Sequence, residues 1–374
     1  MGFDGLKTDV FIVGGGPAGL AAGIAARARG LRVVLADCSK PPIDKACGEG
    51  LMPQTVAALK DFGVRLGPAQ GVPFRGIRFI AERRAAEGAF LQGYGWGIRR
   101  TTLHQALAER AAEAGVQCLW GARVTGIRRG EVWLDAGCVQ SRWIIGADGQ
   151  SSLVRKWAGL DQGQPEQTRF GFRQHFRATP WTDFVEVHWG SRCQIVVTPV
   201  SPEEVCLVVT SRSPQIRLKE AFAQLPDVAR RLEGRQAITK DLGAVSALRV
   251  IRQVCRGPFV LLGDASGSVD SLTGEGLGLA FRQAGALAEA LARDDVGRYA
   301  AAHRRINRQP EVMSRLMLAM EHRPWLRRRV IDAFAHEPHL LERLLTAHAG
   351  TFSPLSFGFG NMFKLSWRLL ANPS

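Results

Sequence analysis

The segment Asp9-Val10-Phe11-Ile12-Val13-Gly14-Gly15-Gly16-Pro17-Ala18-Gly19-Leu20 constrains this chain more than any other stretch. An apolar run of β-formers ends in a glycine turn, and a helix of small residues follows from Ala18 to Arg29. A second apolar run, Leu31 to Ala36, ends in Asp37, 18 residues after Gly19. Strand, Gly-x-Gly-x-x-Gly turn, helix, strand and acid in that order predict a dinucleotide site. Gly14 lets the turn close, Gly16 lets backbone approach a pyrophosphate, and Gly19 lets helix and strand pack. Pro17 and Ala18 open the helix whose first amides, at the positive end of its dipole, face the phosphates. Asp37 is placed to accept hydrogen bonds from a ribose, with Cys38 beside it.

The rest of the chain reads as α/β. A helix opens at Pro53 and runs to about Phe62. Phe74–Ile80 alternates as a strand and Ala89–Tyr94 is expected to pair with it. Thr101 or Thr102 is expected to cap a helix from Leu103 to Ala114, closed by Gly115. Short strands follow at Val116–Trp120, Arg123–Arg128, which includes Val124, Val132–Leu134 and Trp143–Ala147. Beyond Gln162–Glu166 the composition shifts to runs separated by turn residues, 170–178, 184–188, 194–199 and 205–210, which predict an antiparallel sheet. His175, His188 and Trp189 are candidates to line its substrate face. Helices are expected around 218–225 and 226–232. A strand at 259–262 then leads into a second glycine-rich turn and a long helix, 276–291.

Two further turns follow strands: Gly146-Ala147-Asp148-Gly149-Gln150-Ser151-Ser152-Leu153-Val154-Arg155, and Gly263-Asp264-Ala265-Ser266-Gly267. Together with the first turn, this set resembles the flavin-dependent aromatic hydroxylases of the p-hydroxybenzoate hydroxylase fold, over roughly 1–60, 95–160 and 255–295. The resemblance implies a Rossmann-like FAD-binding domain of the glutathione reductase type, an antiparallel β-sheet substrate domain and C-terminal helices. Its expected boundaries are 1–70, 95–165 and 250–297 for the discontinuous FAD domain, 71–94 and 166–249 for the sheet, and 298–374 for the helices. FAD is long, so acceptors are needed far from the first turn. Asp148, Gly149, Gly263 and Asp264 are expected there, Asp264 on a ribitol hydroxyl. The helix starting near Gly276 can aim its amides at the flavin pyrimidine edge, where negative charge collects on reduction. Gly274, Glu275, Gly276 and Leu277 form that approach. Arg100 matches the family arginine near the FAD phosphates, with Arg99 as its neighbour.

The string 263–277, Gly-Asp-Ala-Ser-Gly-x-x-x-x-Leu-Thr-Gly-Glu-Gly-Leu, is similar to geranylgeranyl reductases. Cys47-Gly48-Glu49-Gly50-Leu51-Met52-Pro53 is similar to their Cys-Gly-Gly loop and to the Gly-Glu-Ser loop of flavin-dependent halogenases. That loop is expected beside the isoalloxazine, which makes Cys47 and Glu49 the candidate catalytic residues. The reductases' Tyr-x-Trp-x-Phe-Pro segment has no clean match, because Val197-Thr198-Pro199 occupies the corresponding strand. Halogenases are longer, and Tyr94-Gly95-Trp96-Gly97-Ile98 only loosely echoes their tryptophan segment. The resemblance therefore implies an FAD-dependent enzyme with NAD(P)H as reductant, hydroxylating an aromatic or lipophilic small molecule through a flavin C4a-hydroperoxide. A reductase saturating isoprenoid double bonds and a non-catalytic FAD-binding module stay open as alternatives.

Composition excludes several other classes. The 374 residues are 46% hydrophobic, enough for two domains and a large core. Seven scattered cysteines without a Cys-x-x-Cys predict a reducing cytoplasm and no metal site. The formal charge is +15, yet no nucleic-acid-binding motif accompanies it. Within 298–374, 12 Lys and Arg oppose 5 Asp and Glu. Met313, Leu316, Met317 and Met320, then Trp325, Phe352, Phe357, Phe359, Phe363 and Trp367 around Arg327–Arg329, leave two readings open. They either pack on the core or make a basic amphipathic surface for peripheral contact with the inner face of a membrane.

Overall fold

A computed structural model describes residues 5–162 and 164–348. Its frame is a sheet whose parallel strands run in the order Phe259–Leu261, Gly137–Gly146, Leu6–Val13, Val33–Asp37 and Gln117–Trp120. The strands are near-continuous apolar runs because both sheet faces are covered. Phe11, Ile12, Leu35, Ile144, Ile145, Val260 and Leu261 are all completely buried. Helix Pro17–Arg27 packs on this sheet and against helix Gly276–Ala292. Parallel strands end on the same edge, so the turns after Val13, Gly146 and Leu261 open side by side.

A second sheet runs Gly267–Ser268, Leu242–Val250, Glu166–Arg177, Glu204–Ser211, Cys193–Ser201, Phe184–Trp189, Gly76–Ala81 and Arg84–Ala89. Its pairing is antiparallel except between Phe184–Trp189 and Gly76–Ala81, which run parallel. The alternation of a half-buried strand divides its faces. Ile195, Val197, Val205, Leu207 and Val209 pack with Ile216, Ala221 and Val228 below the sheet. Arg169, Arg173, His175, Gln194 and Cys206 occupy the opposite face, toward the turns of the first sheet.

Several local expectations shift. The partner of Gly76–Ala81 is Arg84–Ala89, earlier than 89–94, because Glu82, at φ 55, makes a tight turn. Strand Leu242–Val250 had no expectation; it alternates only weakly and exposes Val245. The helix expected at Leu103 starts at Arg100, and its cap is Arg99 rather than a threonine. Met317 and Met320 are buried and Met313 and Leu316 pack against the same cluster, so the methionine stripe is core. Arg327 is buried beside the Trp189 ring, at 5.5 Å. Phe352, Phe357, Phe359, Phe363 and Trp367 lie outside the described residues. Among those described, no helix is long and apolar enough to cross a membrane.

Candidate active site

The three turns interlock. Gly14, at φ 110, packs so closely that a Cβ there would run into the Ala147 carbonyl. Gly263, at φ 59, meets the Ala18 methyl, where a Cβ would lie 2.8 Å away. Gly19 leaves no room for a Cβ against the Gly14 carbonyl. These glycines are demanded by the protein itself. Gly16 and Gly276 are different. Gly16 has an ordinary φ of −69°, and a Cβ at either position would meet no atom of the described residues within 4 Å beyond its own chain neighbours. Nothing in the fold requires glycine there, and both open onto the space between the turns. Gly149 and Gly274, both at positive φ, open the same way.

Polar groups around this space are partly unspent. Asp37 accepts from Gly15 N at 2.7 Å and from Ser39 N at 2.8 Å, leaving lone pairs for further donors. Asp264 is half-buried and reached by Lys45 Nζ at 3.1 Å. Arg100 is 6% exposed, its Nη1 is buried with no partner among the described residues, and burial pulls its pKa down. A buried guanidinium nitrogen left unmatched is costly unless a ligand meets it. Open glycines, spare carboxylate acceptors and this orphaned donor fit a bound dinucleotide with its phosphates. Cys38 is exposed beside Asp37, and Val124 is half-buried at the start of strand Val124–Arg128.

Asp148 and Glu275 are engaged elsewhere. Asp148 accepts from Leu153 N, Val154 N and the Ser152 hydroxyl, so its carboxylate secures the helix Leu153–Trp157. Glu275 is fully buried, taking Gln54 Nε2 at 2.7 Å and Arg282 Nη2 at 3.0 Å. Both position backbone beside Gly149 and Gly276.

Cys47 and Glu49 sit on a loop that reaches the second sheet. Glu49 adopts φ 59, strained for a residue with a side chain. Its backbone carbonyl accepts from Ile98 N, and its N–H reaches Cys47 Sγ at 3.4 Å. One carboxylate oxygen takes Arg100 N at 2.9 Å and Arg173 Nη1 at 3.2 Å; the other meets His175 Nε2 at 2.6 Å. Arg173 also clamps Asp44 at 2.7 and 2.8 Å, which holds the Asp44 carboxyl below the usual range. His175 Nδ1 continues to Thr239 Oγ1 at 3.1 Å. The ligand atoms of Glu49, His175 and Cys206 lie within 4.8 Å of one another. Glu49 is already saturated by donors and Arg173 brings positive charge to it, so the group is a hydrogen-bond hub. Burial pushes the Cys47 and Cys206 thiols up, so neither is a thiolate at neutral pH.

Sequence reading missed His104, Arg173 and Gln283. His104 is fully buried, bonds the Gly15 carbonyl at 2.8 Å, and has its pKa lowered by burial. Gln283 accepts from Gly263 N at 2.8 Å and donates to Asn307. Of the sheet candidates, His175 faces the loop, His188 pairs with Glu186 on the other face, and Trp189 is core.

Residues 7–301 match the family model described as FAD binding domain. The menaquinone reductase of Mycobacterium tuberculosis (strain ATCC 25618 / H37Rv) is 28% identical over 328 residues, covering 78% of each chain. The 6-methylpretetramide 4-monooxygenase of Streptomyces rimosus is 28% identical over 327 residues, again 78% of each. Among solved structures, the flavin-dependent brominase Bmp2 superposes with a TM-score of 0.83 at 19% identity, covering 96% of this chain and 98% of that one.

Proposed function

The chain belongs to the FAD binding domain family, and from that premise we propose an NAD(P)H-dependent flavin monooxygenase that hydroxylates an aromatic or lipophilic small molecule. That it is an FAD-dependent oxidoreductase follows from the family and from relatives named as reductases and monooxygenases. The observation that carries the hydroxylase reading is the strand Cys193–Ser201. Gln194-Ile195-Val196-Val197-Thr198-Pro199 stands where the resemblance to isoprenoid reductases requires Tyr-x-Trp-x-Phe-Pro. Gln194 is turned instead to Arg169 at 3.1 Å and Thr210 at 3.1 Å, with no aromatic wall beside it on that strand. The absence of a second dinucleotide turn in the sequence supports a nicotinamide that docks without its own Rossmann domain.

In this reading 1–70, 95–165 and 250–297 hold the cofactor, while 71–94 with 166–249 bind the substrate. Bound FAD would supply two-electron redox chemistry and, once reduced, the activation of dioxygen. Arg100 would meet its phosphate charge, Gly16 and Gly276 would leave room for it, and Asp37 and Asp264 would accept hydrogen bonds from its hydroxyls. The Cys47–Glu49 loop is the candidate wall beside the ring. Glu49 positions it by tying it to Arg100, Arg173 and His175. Cys47, as a neutral thiol, shapes the wall rather than attacking substrate.

The test is NAD(P)H oxidation and oxygen uptake by the FAD-loaded protein, screened against phenols, quinones and polyprenyl lipids. Substrate-stimulated oxygen uptake with an oxygenated product is expected. The second reading is a reductase saturating isoprenoid double bonds, favoured by the menaquinone reductase relatives and by Gly274-Glu275-Gly276. Anaerobic saturation of a polyprenyl lipid would replace the first reading with it. Tight FAD binding without turnover of any kind would leave a binding module.

A further inference from the structure

The 27-residue helix Val296–His322 has two different sides. Its inner side grips the cofactor turn: the Tyr299 hydroxyl bonds the Leu261 carbonyl, His303 bonds Ser266 Oγ, and Ser314 Oγ accepts from Asp270 N. At 3.6 residues per turn, positions 304, 305, 308, 312 and 315 share one outer stripe. Arg304, Arg305, Arg308, Val312 and Arg315 are all exposed on it, and Arg323 continues it past the helix end. Arg315 pairs with Glu166 at 3.4 Å, and Glu311 flanks the stripe half-buried. Arg304, Arg305, Arg308 and Arg323 pair with no carboxylate among the described residues. Val312 stands exposed on this stripe at 64%, and Trp325, two residues past Arg323 in the first turn of helix Pro324–His336, is exposed at 54%.

We propose that this ridge docks the protein on an anionic lipid bilayer. Unpaired arginines are drawn to the surface of anionic lipid. Tryptophan and a β-branched apolar side chain gain by entering the headgroup boundary, where the ring sits with its polar edge wet. A nucleic-acid phosphate rail would use the arginines equally well but gives Val312 nothing to contact, which is why the bilayer is favoured. The surface differs from the one the sequence suggested. The methionines point inward and Arg327 is buried, while the arginines at 304–308 carry the charge. The docking surface stands apart from what the cleft turns over.

The experiment is co-sedimentation of the full FAD-loaded chain with vesicles of phosphatidylcholine alone or with added phosphatidylglycerol, at low and physiological salt. Binding is expected only with phosphatidylglycerol and should weaken as salt rises. Arg304→Glu/Arg305→Glu/Arg308→Glu should lower partitioning at least tenfold, and Trp325→Ala severalfold, with unchanged melting. If the triple variant fails to fold, the Arg305→Gln/Arg308→Gln pair should still lower partitioning severalfold. No binding to phosphatidylglycerol vesicles, or variants that bind like the parent protein, overturns the proposal. Duplex DNA that strips the protein from the vesicles through these same arginines would assign the ridge to nucleic acid instead and overturn it too.

Discussion

His175 Nε2 and Glu49 Oε2 lie 2.6 Å apart, and both side chains are buried. That bond ties the Cys47–Glu49 loop to the antiparallel sheet, across 126 positions of sequence. Glu49 also answers Arg100 N at the helix start, where the dipole favours an anion, and Arg173. Removing the carboxylate leaves a buried guanidinium and an imidazole short of their partner. Glu49→Ala should therefore cost about 3–5 kcal/mol of stability, and Glu49→Gln less, since it keeps one acceptor. Urea titration of the cofactor-free protein measures both. A loss below about 1 kcal/mol for the alanine variant would show that the hub is not structural.

Gly14 and Gly16 sit two residues apart and should respond oppositely to alanine. Gly14→Ala forces a side chain into positive φ against the Ala147 carbonyl, and should cost about 3 kcal/mol. Gly16→Ala adds a methyl in open space at ordinary φ, and should change stability by no more than about 1 kcal/mol. The same methyl stands where phosphate is expected, so FAD affinity should fall at least tenfold. Melting and FAD titration on the two variants separate the roles. A Gly16→Ala protein that binds FAD normally would move the phosphates elsewhere.

Arg100 carries a buried nitrogen with no partner among the described residues. Arg100→Met should leave the cofactor-free fold as stable or slightly more so, because it removes an incompletely matched charge. Losing hydrogen bonds to a charged phosphate is worth about 1.5–3 kcal/mol each, so FAD should bind about 10–150-fold more weakly. Fluorescence titration of FAD against salt checks it. The variant should also lose part of the salt dependence, since one charge contact is gone.

What was legible in the sequence was local. Gly14, Gly16, Gly19 and Asp37 declare themselves because strand, glycine turn, helix, second strand and acid follow one another within about thirty residues. The turns at 146–155 and 263–267 were readable for the same reason, as strand ends with glycine and acid. The Glu49 hub was not readable, because Arg173 and His175 reach it only through the register of a sheet. The helix at Arg100 shows the same limit. A threonine cap was expected, but the exposed amide is met by Glu49 from fifty-one positions away, so no local cap is needed. The methionines at 313–320 left two readings open, of which core packing is the one found, for another reason. Spacing of three and four residues describes a helix face, and it cannot say whether that face meets a sheet or a bilayer.

His303 sets the acid limit of the turn Gly263–Gly267. It is buried against Ser266 at 2.9 Å, and burial, with Arg304 nearby, lowers its pKa to about 4 from an ordinary 6.5. The unfolded chain takes up this proton below pH 6.5 while the folded chain resists it until about pH 4. Stability from this site is therefore complete above pH 6.5 and is lost as pH falls toward 4, by about 3 kcal/mol in all. Glu186, which burial would raise but hydrogen bonds from His188 and Trp181 lower to about 2, weakens the fold only below its unfolded value of 4.5. The two windows thus overlap only between about pH 4 and 4.5. His303→Gln can still bond Ser266 but cannot titrate, so the fall in urea midpoint between pH 7 and pH 5 should shrink in that variant, and what remains belongs to His104, whose pKa burial lowers as well. An unchanged fall would place the acid-sensitive group elsewhere. Because His303 and Gln283 together hold Ser266 and Gly263 N, FAD release in the parent protein should follow the same curve, and measuring both on one pH series tests the coupling.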